Sequence, residues 1–192
     1  MAERVSAHKR ITLPADDLKL AAVLVPLIET PEGLSLVLTQ RPAELGVHGG
    51  QPSFPGGRVE PEDTDRWETA VRETEEELGI SRDAITRVAI LDDFRTVTRF
   101  HITPCVGVLE PDVVFTPSER EVAEVFFVPL QTFLDPACRR TMRFSGRGPD
   151  RRVYFYLTRP HMVWGATAGM IQGLTELLHS EGAAQSNSSW SP

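Results

Sequence analysis

Three glutamates at helical spacing follow a pair of glycines, and this arrangement constrains the fold more than any other part of the chain. The segment from Phe54 to Ile80 reads FPGGRVEPEDTDRWETAVRETEEELGI. At about 100° per residue, Glu73, Glu76 and Glu77 fall within one arc of roughly 100° on a helix. The adjacent arc carries Trp67, Ala70, Val71, Thr74 and Leu78. One stripe is predicted to pack on a core and the next to present carboxylates.

The glutamate cluster calls for a cation, because three carboxylates at this spacing repel one another. Mg²⁺ prefers oxygen ligands, uses one or two carboxylates and completes its shell with water and substrate phosphate oxygens. The cluster therefore predicts a metal-dependent phosphate site with Mg²⁺ or Mn²⁺ as cofactor. A solvated, glutamate-rich helix face is the plainer alternative, and it suits Glu68 and Glu75, which point away from the arc.

Signals at both ends of the segment favour the metal site. Gly56 and Gly57 permit positive φ and close approach of the backbone to a ligand, so a carbonyl there can join the metal shell. Gly79 is placed to end the helix in the left-handed conformation. The residues that can cap its start are Asp63, Thr64 and Asp65. Arg72 lies beside the carboxylate arc and is predicted to hold a glutamate in place rather than to touch substrate.

The whole segment resembles the Nudix box, whose pattern is G-x5-E-x7-R-E-U-x-E-E-x-G-U with U apolar. The matching residues are Arg72, Glu73, Glu76, Glu77, Gly79 and Ile80. Two features depart from the pattern: Gly57-x5 leads to Asp63 instead of glutamate, with eight rather than seven residues between Asp63 and Arg72, and Thr74 holds an apolar position. The resemblance implies an α/β fold, the Nudix α/β/α sandwich with a mixed β-sheet between helices, and metal-dependent hydrolysis of a diphosphate.

A second stretch is similar to the signature of the Nudix hydrolases that cleave coenzyme A, L-T-x-R-[SA]-x-x-L-R-x-H-x-G-Q-x-x-F-P-G-G. The matching residues are Leu38, Thr39, Arg41, Leu45, His48, Gly50, Gln51 and the run 54–57. The run VWGATA, residues 163–168, resembles that group's WGxTA opening of the last helix. Pro42 replaces a small residue, and Gly46 stands where the signature has arginine. The implied reaction cleaves coenzyme A or an acyl derivative to 3′,5′-ADP and 4′-phosphopantetheine.

Two other functions stay open at this stage. Gly46 leaves room for hydrolysis of another nucleoside diphosphate derivative, such as ADP-ribose, NADH or a dinucleotide. A ligand-sensing Nudix module without turnover is the other alternative. The intact set of glutamates argues against it, because a pure binder has little reason to retain hydrolytic carboxylates.

Candidate roles follow for individual residues. Glu73 and Glu77, one turn apart, are predicted as principal metal ligands, with Glu76 as a further ligand or the base and Gly57 as a carbonyl ligand. Family enzymes often take one more carboxylate from outside the box, and Glu121 is the candidate here; a surface loop acid is the alternative. The predicted substrate-binding residues are Arg41, His48, Gln51 and Arg58. The arginines of the run 139–152 either lie near the substrate or belong to a solvated loop, and His101 is predicted to be structural.

Charge and composition narrow the partners. The net charge is −7, and nine of the 27 acidic residues fall between Glu60 and Glu77, where metal is predicted to bind. A general nucleic-acid binder needs a basic surface, so nucleic acid is disfavoured and a small nucleoside diphosphate substrate is expected. No apolar run approaches the ~20 residues of a membrane span. With only Cys105 and Cys138, a disulfide framework is not expected, which suits a cytoplasmic protein. A homodimer stays open.

The expected organisation is one domain over residues 18–180, with loose ends at 1–17 and 181–192. The predicted strands are Leu20–Ile28, Leu34–Thr39, Ile85–Thr96, Arg99–Leu109, Val122–Val128 and a late edge or pairing strand Val153–Leu157. A second helix is predicted over Ala166–Ser180.

Overall fold

The chain folds into two β-sheets and three α-helices within residues 5, 7–14, 17–43, 49–146 and 148–180, which this computed structural model describes. The strands are β1 (Lys19–Thr30), β2 (Gly33–Gln40), β3 (Pro52–Ser53), β4 (Gly56–Arg58), β5 (Ile85–Ile90), β6 (Phe94–Arg95), β7 (Phe100–Leu109), β8 (Glu124–Pro129), β9 (Arg139–Gly146), β10 (Gly148–Tyr156) and β11 (Val163–Trp164). The helices are α1 (Arg66–Leu78), α2 (Leu130–Leu134) and α3 (Gly165–Ser180).

Strand β1 is the centre of the larger sheet, which contains eight strands. The main order is β3-β2-β1-β7-β5, with β4 paired to β1, β6 to β7 and β8 to β2. β1 and β7 run parallel, from the pair Lys19 and Phe100 to the pair Leu27 and Val108. The other pairs in this sheet are antiparallel, so the sheet is mixed, as predicted. β9, β10 and β11 form a separate antiparallel sheet.

The side chains of β1 alternate between two hydrophobic cores. Val23, Val25 and Leu27 pack in a core that α3 completes. Ala22 and Leu24 pack in a second core that α1 completes. This alternation follows from the two-residue period of a strand that is buried on both faces. Helices therefore cover both faces of the sheet, and the predicted α/β/α arrangement is confirmed.

β1 changes its antiparallel partner half-way along, and this change brings the glycine turn into the sheet. Residues 27–30 pair with β2, whereas residues 21–23 pair with β4. Gly56 adopts φ +154°, and a Cβ there would overlap the backbone of Ala22 and Val23. Only glycine fits this close approach. The turn therefore lies directly beside α1.

The prediction of one strand over Ile85–Thr96 is wrong, because the ladder is interrupted at residues 91–93. β5 ends at Ile90, and β6 is the short segment Phe94–Arg95. Between them, Asp93 accepts hydrogen bonds from Arg10 Nη2 at 2.6 Å and Thr103 Oγ1 at 2.9 Å. The interruption is thus the point where the N-terminal segment attaches.

The N-terminal segment is held against the sheet, which contradicts the expectation of a loose end for residues 8–13. The backbone N–H of Leu13 donates to Asp93 at 3.0 Å, and that of Ile11 donates to Asp92 at 2.7 Å. His101 Nε2 lies 2.8 Å from Asp93 Oδ2, so this histidine has the structural role that was predicted.

The arginines of the run 139–152 do not belong to a solvated loop, which was one of the two predicted alternatives. The described residues of this run form strands β9 and β10. Met142 pairs with Val153, and Gly146 pairs with Gly148. The sequence SGRGP, residues 145–149, is a hairpin signal that the sequence analysis overlooked. The predicted edge or pairing strand Val153–Leu157 corresponds to the end of β10, which is a pairing strand because it is the middle strand of its sheet.

The other predicted strands and the predicted second helix agree with the structure within two residues at each end. The predicted strands Leu34–Thr39 and Val122–Val128 are β2 and β8, and the predicted second helix is α3. No helix in the described part of the chain is long and apolar enough to cross a membrane.

Candidate active site

Helix α1 presents the predicted carboxylates from a rigid frame. Asp65 caps its start, because the Asp65 side chain accepts the Glu68 N–H at 2.8 Å. Gly79 ends it in the left-handed conformation with φ 66°, and its N–H donates to the Glu75 carbonyl. The buried side of α1 packs on the sheet, so the adjacent arc faces the glycine turn.

Glu77 is the only glutamate of α1 that is buried, with 5% of its surface exposed. Burial raises the pKa of its carboxyl to about 8; the positive charge of Arg41 opposes the rise, and the charges of Glu73 and Glu121 add to it. The Gly56 N–H donates a hydrogen bond to the carboxylate. A carboxylate buried among other acids is costly unless a cation balances it.

Glu73 lies directly over the glycine turn. A Cβ at Gly57 would overlap the Glu73 carboxylate, so a side chain at position 57 would push that carboxylate away. Burial raises the pKa of Glu73, while the Arg72 guanidinium lowers it and the charges of Glu76 and Glu121 raise it further. The backbone of Gly57 and the carboxylate of Glu73 are therefore neighbours, as the sequence predicts.

Arg72 holds two of the glutamates, as predicted. Its Nη1 lies 3.1 Å from Glu73 Oε1 and 3.2 Å from Glu76 Oε1. Its Nη2 donates to the Arg58 carbonyl at 3.0 Å, which ties the helix to β4. Glu76 is the outermost member of the set, with 55% of its side chain exposed. Within the described residues, no three acidic, histidine or cysteine side chains converge as a ready metal cage.

Asp63 anchors Arg72, a role that the sequence analysis missed when it offered Asp63 only as a helix cap. The carboxylate accepts Arg72 Nε at 3.0 Å and Nη2 at 3.2 Å, and its side chain is only 2% exposed. The Arg72 guanidinium lowers the pKa of Asp63 to about 2, despite partial burial, with help from the Glu60 N–H and the Thr69 hydroxyl. The sequence signal for this role was that Asp63 is an acid at the first glutamate position of the Nudix box. The extra residue between Asp63 and Arg72 obscured this match.

Asp63→Asn is expected to lower kcat by about tenfold, because a neutral amide cannot accept both N–H groups of the Arg72 fork and Arg72 then holds Glu73 and Glu76 less firmly. Steady-state hydrolysis at pH 7.5 measures the change. Asp65→Asn is the matched control, since asparagine also caps helices well and this variant is expected to stay within about twofold of the parent. Equal losses in the two variants would contradict the anchoring role of Asp63.

The loop that carries Glu121 is fastened to the end of α1. Thr116 and Ser118 donate their backbone N–H groups to carbonyls of the last turn at 2.8 and 2.9 Å. Glu121 itself is exposed. Its charge raises the pKa values of both Glu73 and Glu77, so the fold brings this carboxylate to the cluster from outside the helix.

The candidate substrate-binding residues do not form one group: Arg41 lies near the glutamate cluster, whereas Arg58 points away from it. Arg41 lines a cavity of about 440 Å³, and its charge acts on Glu77. The Gln51 carbonyl accepts the Arg41 N–H at 3.5 Å. Arg58 lies over the Phe100 ring, 5.5 Å from its centroid, and alternation along β4 directs it away from the face that Gly57 presents to α1. His48 and Gly46 lie outside the described residues.

The two stretches that resemble coenzyme A hydrolases meet in three dimensions. Thr167, in the first turn of α3, donates its hydroxyl to the Pro52 carbonyl at 3.1 Å. Trp164 stacks on Phe155 with ring centroids 6.2 Å apart, and Trp164 is partly exposed rather than a core residue. The start of α3 therefore supports the loop that leads into the glycine turn.

Comparison with known proteins decides the family. The model of the NUDIX domain family matches residues 18–161. This chain belongs to the Nudix family. It is similar to the uncharacterized Nudix hydrolases NudL of Escherichia coli O7:K1 and Cronobacter sakazakii, with 39% and 40% identity over 154 residues and 80% of each chain covered.

Solved structures support the Nudix fold. The Nudix hydrolase RenU from M. smegmatis matches with a TM-score of 0.52 and 14% identity, over 91% of this chain and 90% of that one. The E. coli ORF135 protein matches with a TM-score of 0.51 and 21% identity, over 88% and 99%. The family match and the Nudix hydrolase relatives indicate that the chain is a pyrophosphatase hydrolase, and Nudix hydrolases in general use divalent metal cations.

Proposed function

We propose that this Nudix hydrolase cleaves the diphosphate of coenzyme A or an acyl-coenzyme A to 3′,5′-ADP and the corresponding 4′-phosphopantetheine, with Mg²⁺ or Mn²⁺ as cofactor. The observation that carries the proposal is the Thr167 to Pro52 hydrogen bond, which joins the two stretches that resemble coenzyme A hydrolases. Agreement at two separate motifs that pack together is more specific than the Nudix box alone. A cytoplasmic location and a homodimer stay predictions.

The donor set suits a hard divalent cation. Glu77 is a buried carboxylate among acids, and Glu73 faces the backbone at Gly57, so carboxylate and carbonyl oxygens are available together. We assign these three residues and Glu76 as the metal site. When bound, the ion supplies positive charge to the diphosphate oxygens and acidifies water.

The chain's own residues then orient the reaction. Glu121 or Glu76 accepts the proton of the attacking water, since both are exposed carboxylates close to Glu73 and Glu77. Arg41 contacts the diphosphate from the cavity side. Gln51, Arg58 and His48 are the remaining candidates for substrate contact. Arg72 and Asp63 act by holding the glutamates.

Another nucleoside diphosphate derivative, such as ADP-ribose, NADH or a dinucleotide, is the second candidate. Gly46 favours it, because an arginine in the coenzyme A signature is missing there. If position 46 faces a phosphate of coenzyme A, Gly46→Arg is expected to raise coenzyme A turnover and to leave ADP-ribose turnover unchanged. An unchanged ratio of the two rates would show that position 46 does not contact the phosphates.

A mass-spectrometric product screen tests the proposal. The purified protein is incubated with Mg²⁺ or Mn²⁺ and with coenzyme A, acetyl-coenzyme A, ADP-ribose, NADH and diadenosine polyphosphates. Release of 4′-phosphopantetheine faster than any other cleavage is the expected result. Faster turnover of another compound would overturn the coenzyme A assignment and retain the metal chemistry. If no compound in the panel is cleaved although the metal is bound, the result would favour a ligand-sensing module.

A further inference from the structure

A chain of hydrogen bonds runs behind the cavity that adjoins the glutamate cluster. His161 Nε2 lies 2.7 Å from Glu124 Oε2, and His161 Nδ1 lies 3.4 Å from Gln40 Nε2. The same Gln40 nitrogen lies 3.1 Å from the Gly50 carbonyl. The chain thus connects β8, the segment before β11, the end of β2 and the loop that precedes the glycine turn.

The Gly50 carbonyl and the Glu124 carboxylate, which end this series of hydrogen bonds, set the orientation of the Gln40 amide and the His161 ring. The Gly50 carbonyl only accepts, so the Gln40 amide presents its NH₂ group there. The Glu124 carboxylate also accepts, so His161 Nε2 carries the proton. In the neutral ring, Nδ1 is then an acceptor, and it receives the second N–H of Gln40.

This arrangement leaves the Gln40 carbonyl oxygen for a ligand. The two N–H groups of the amide donate to the Gly50 carbonyl and to His161, and no described residue donates to Oε1. Gln40 lines the 440 Å³ cavity, together with Arg41 and Glu119. Arg41 also acts electrostatically on Glu77, so the cavity adjoins the glutamate cluster.

We propose that Gln40 is a substrate-recognition residue whose Oε1 accepts a hydrogen bond from an N–H group of the nucleotide derivative, and that His161 and Glu124 are positioning residues that hold the Gln40 amide. The inference rests on the proposed diphosphate hydrolysis and extends it to the part of the substrate that is not cleaved. The donor is either the amino group of adenine or an amide N–H of a pantetheine arm.

Gln40→Leu tests the recognition step, because leucine keeps a similar volume without the acceptor. KM and kcat are measured for coenzyme A, ADP-ribose, NADH and deamino-NADH, which lacks the adenine amino group. A rise in KM of about fivefold, with kcat nearly unchanged, is expected for the substrates that carry the donor. A rise in KM for NADH and ADP-ribose, without a rise for deamino-NADH, identifies the adenine amino group as the donor to Gln40. A rise for coenzyme A alone identifies the pantetheine amide.

Two variants of His161 separate positioning from a merely structural role. His161→Asn places an amide oxygen near Nδ1 and keeps the acceptor for Gln40, whereas His161→Gln keeps a donor near Nε2 for Glu124 and loses that acceptor. KM in His161→Asn is expected to stay closer to the parent value than in His161→Gln, with the same substrate dependence as in Gln40→Leu. Melting temperatures of all variants report any loss of stability.

The outcomes distinguish this inference from the proposed function. Turnover by the parent with unchanged KM in Gln40→Leu overturns the inference alone. An equal rise in KM for all four substrates, deamino-NADH included, also overturns it, because it signals a change in cavity shape. If the parent neither turns over nor binds any of the four compounds, as measured by calorimetry, the inference and the proposed function are both overturned. If the parent binds the compounds without turning them over, dissociation constants replace KM, and the same differences between parent and variant support or overturn the inference.

Discussion

Glu77→Gln is expected to lower kcat/KM for diphosphate hydrolysis by roughly 10²- to 10³-fold. Glutamine keeps the shape of the side chain and can still accept the Gly56 N–H, but it removes the charge that we assign to the metal. The same change removes a buried carboxylate from beside Glu73 and Glu121, so the fold without added metal is expected to be at least as stable as the parent. Activity and stability should therefore move in opposite directions.

Glu75→Gln is the matched control on the same helix. Glu75 pairs with Arg82 at 3.1 Å, away from the cluster, so its replacement is expected to change activity by less than about twofold. Steady-state kinetics with Mg²⁺ and with Mn²⁺, together with thermal denaturation in chelator, provide the two readouts. Hydrolysis by Glu77→Gln within a few-fold of the parent would show that the metal assignment is wrong.

Asp93→Asn is expected to lower the free energy of unfolding by about 3 kcal/mol, or the melting temperature by roughly 10 °C. The Asp93 side chain is fully buried and lies within 3.0 Å of Arg10, Thr103, His101 and the Leu13 N–H. Removing its charge leaves the Arg10 guanidinium without its partner in a part-buried site and loosens the N-terminal segment. Denaturant unfolding at pH 7 measures the difference.

The pH dependence of the Asp93 effect has a definite sign. Burial alone raises the pKa of Asp93, but hydrogen bonds from His101 and Arg10 outweigh it and hold the pKa below the usual value. A carboxyl with a depressed folded-state pKa stabilises the fold above its unfolded value of about 3.9 and loses this contribution as the pH falls further. The difference between parent and variant should be full at pH 7 and shrink below about pH 4.

Asp92→Asn is the control for this prediction. Asp92 has 47% of its side chain exposed, where it meets His8 and the Ile11 N–H, so the expected loss is below about 1 kcal/mol. Equal losses in the two variants would mean that the N-terminal segment, rather than the buried charge, dominates the effect.

Local patterns predicted the elements whose signals lie within a few neighbouring residues. Helical period, the capping candidates at residues 63–65 and the glycine at position 79 predicted α1, and runs of apolar and β-branched residues predicted β1 and β2. The same local reading failed at residues 91–93, where Asp93 bonds to Arg10 and His101, because nothing in the adjacent sequence announces partners 83 and 8 positions away.

The sequence by itself determined the chemistry of this protein: three glutamates on one helix arc, an arginine beside them and a glycine turn before them, since these depend on helical period and on the absence of a side chain. Only the tertiary structure decided which carboxylate is buried, that Asp63 holds Arg72, that the charge of Glu121 acts on Glu73 and Glu77, and that Gln40 lines the cavity. These facts depend on where separate strands and loops meet, because burial and charge pairing arise from packing between residues distant in sequence.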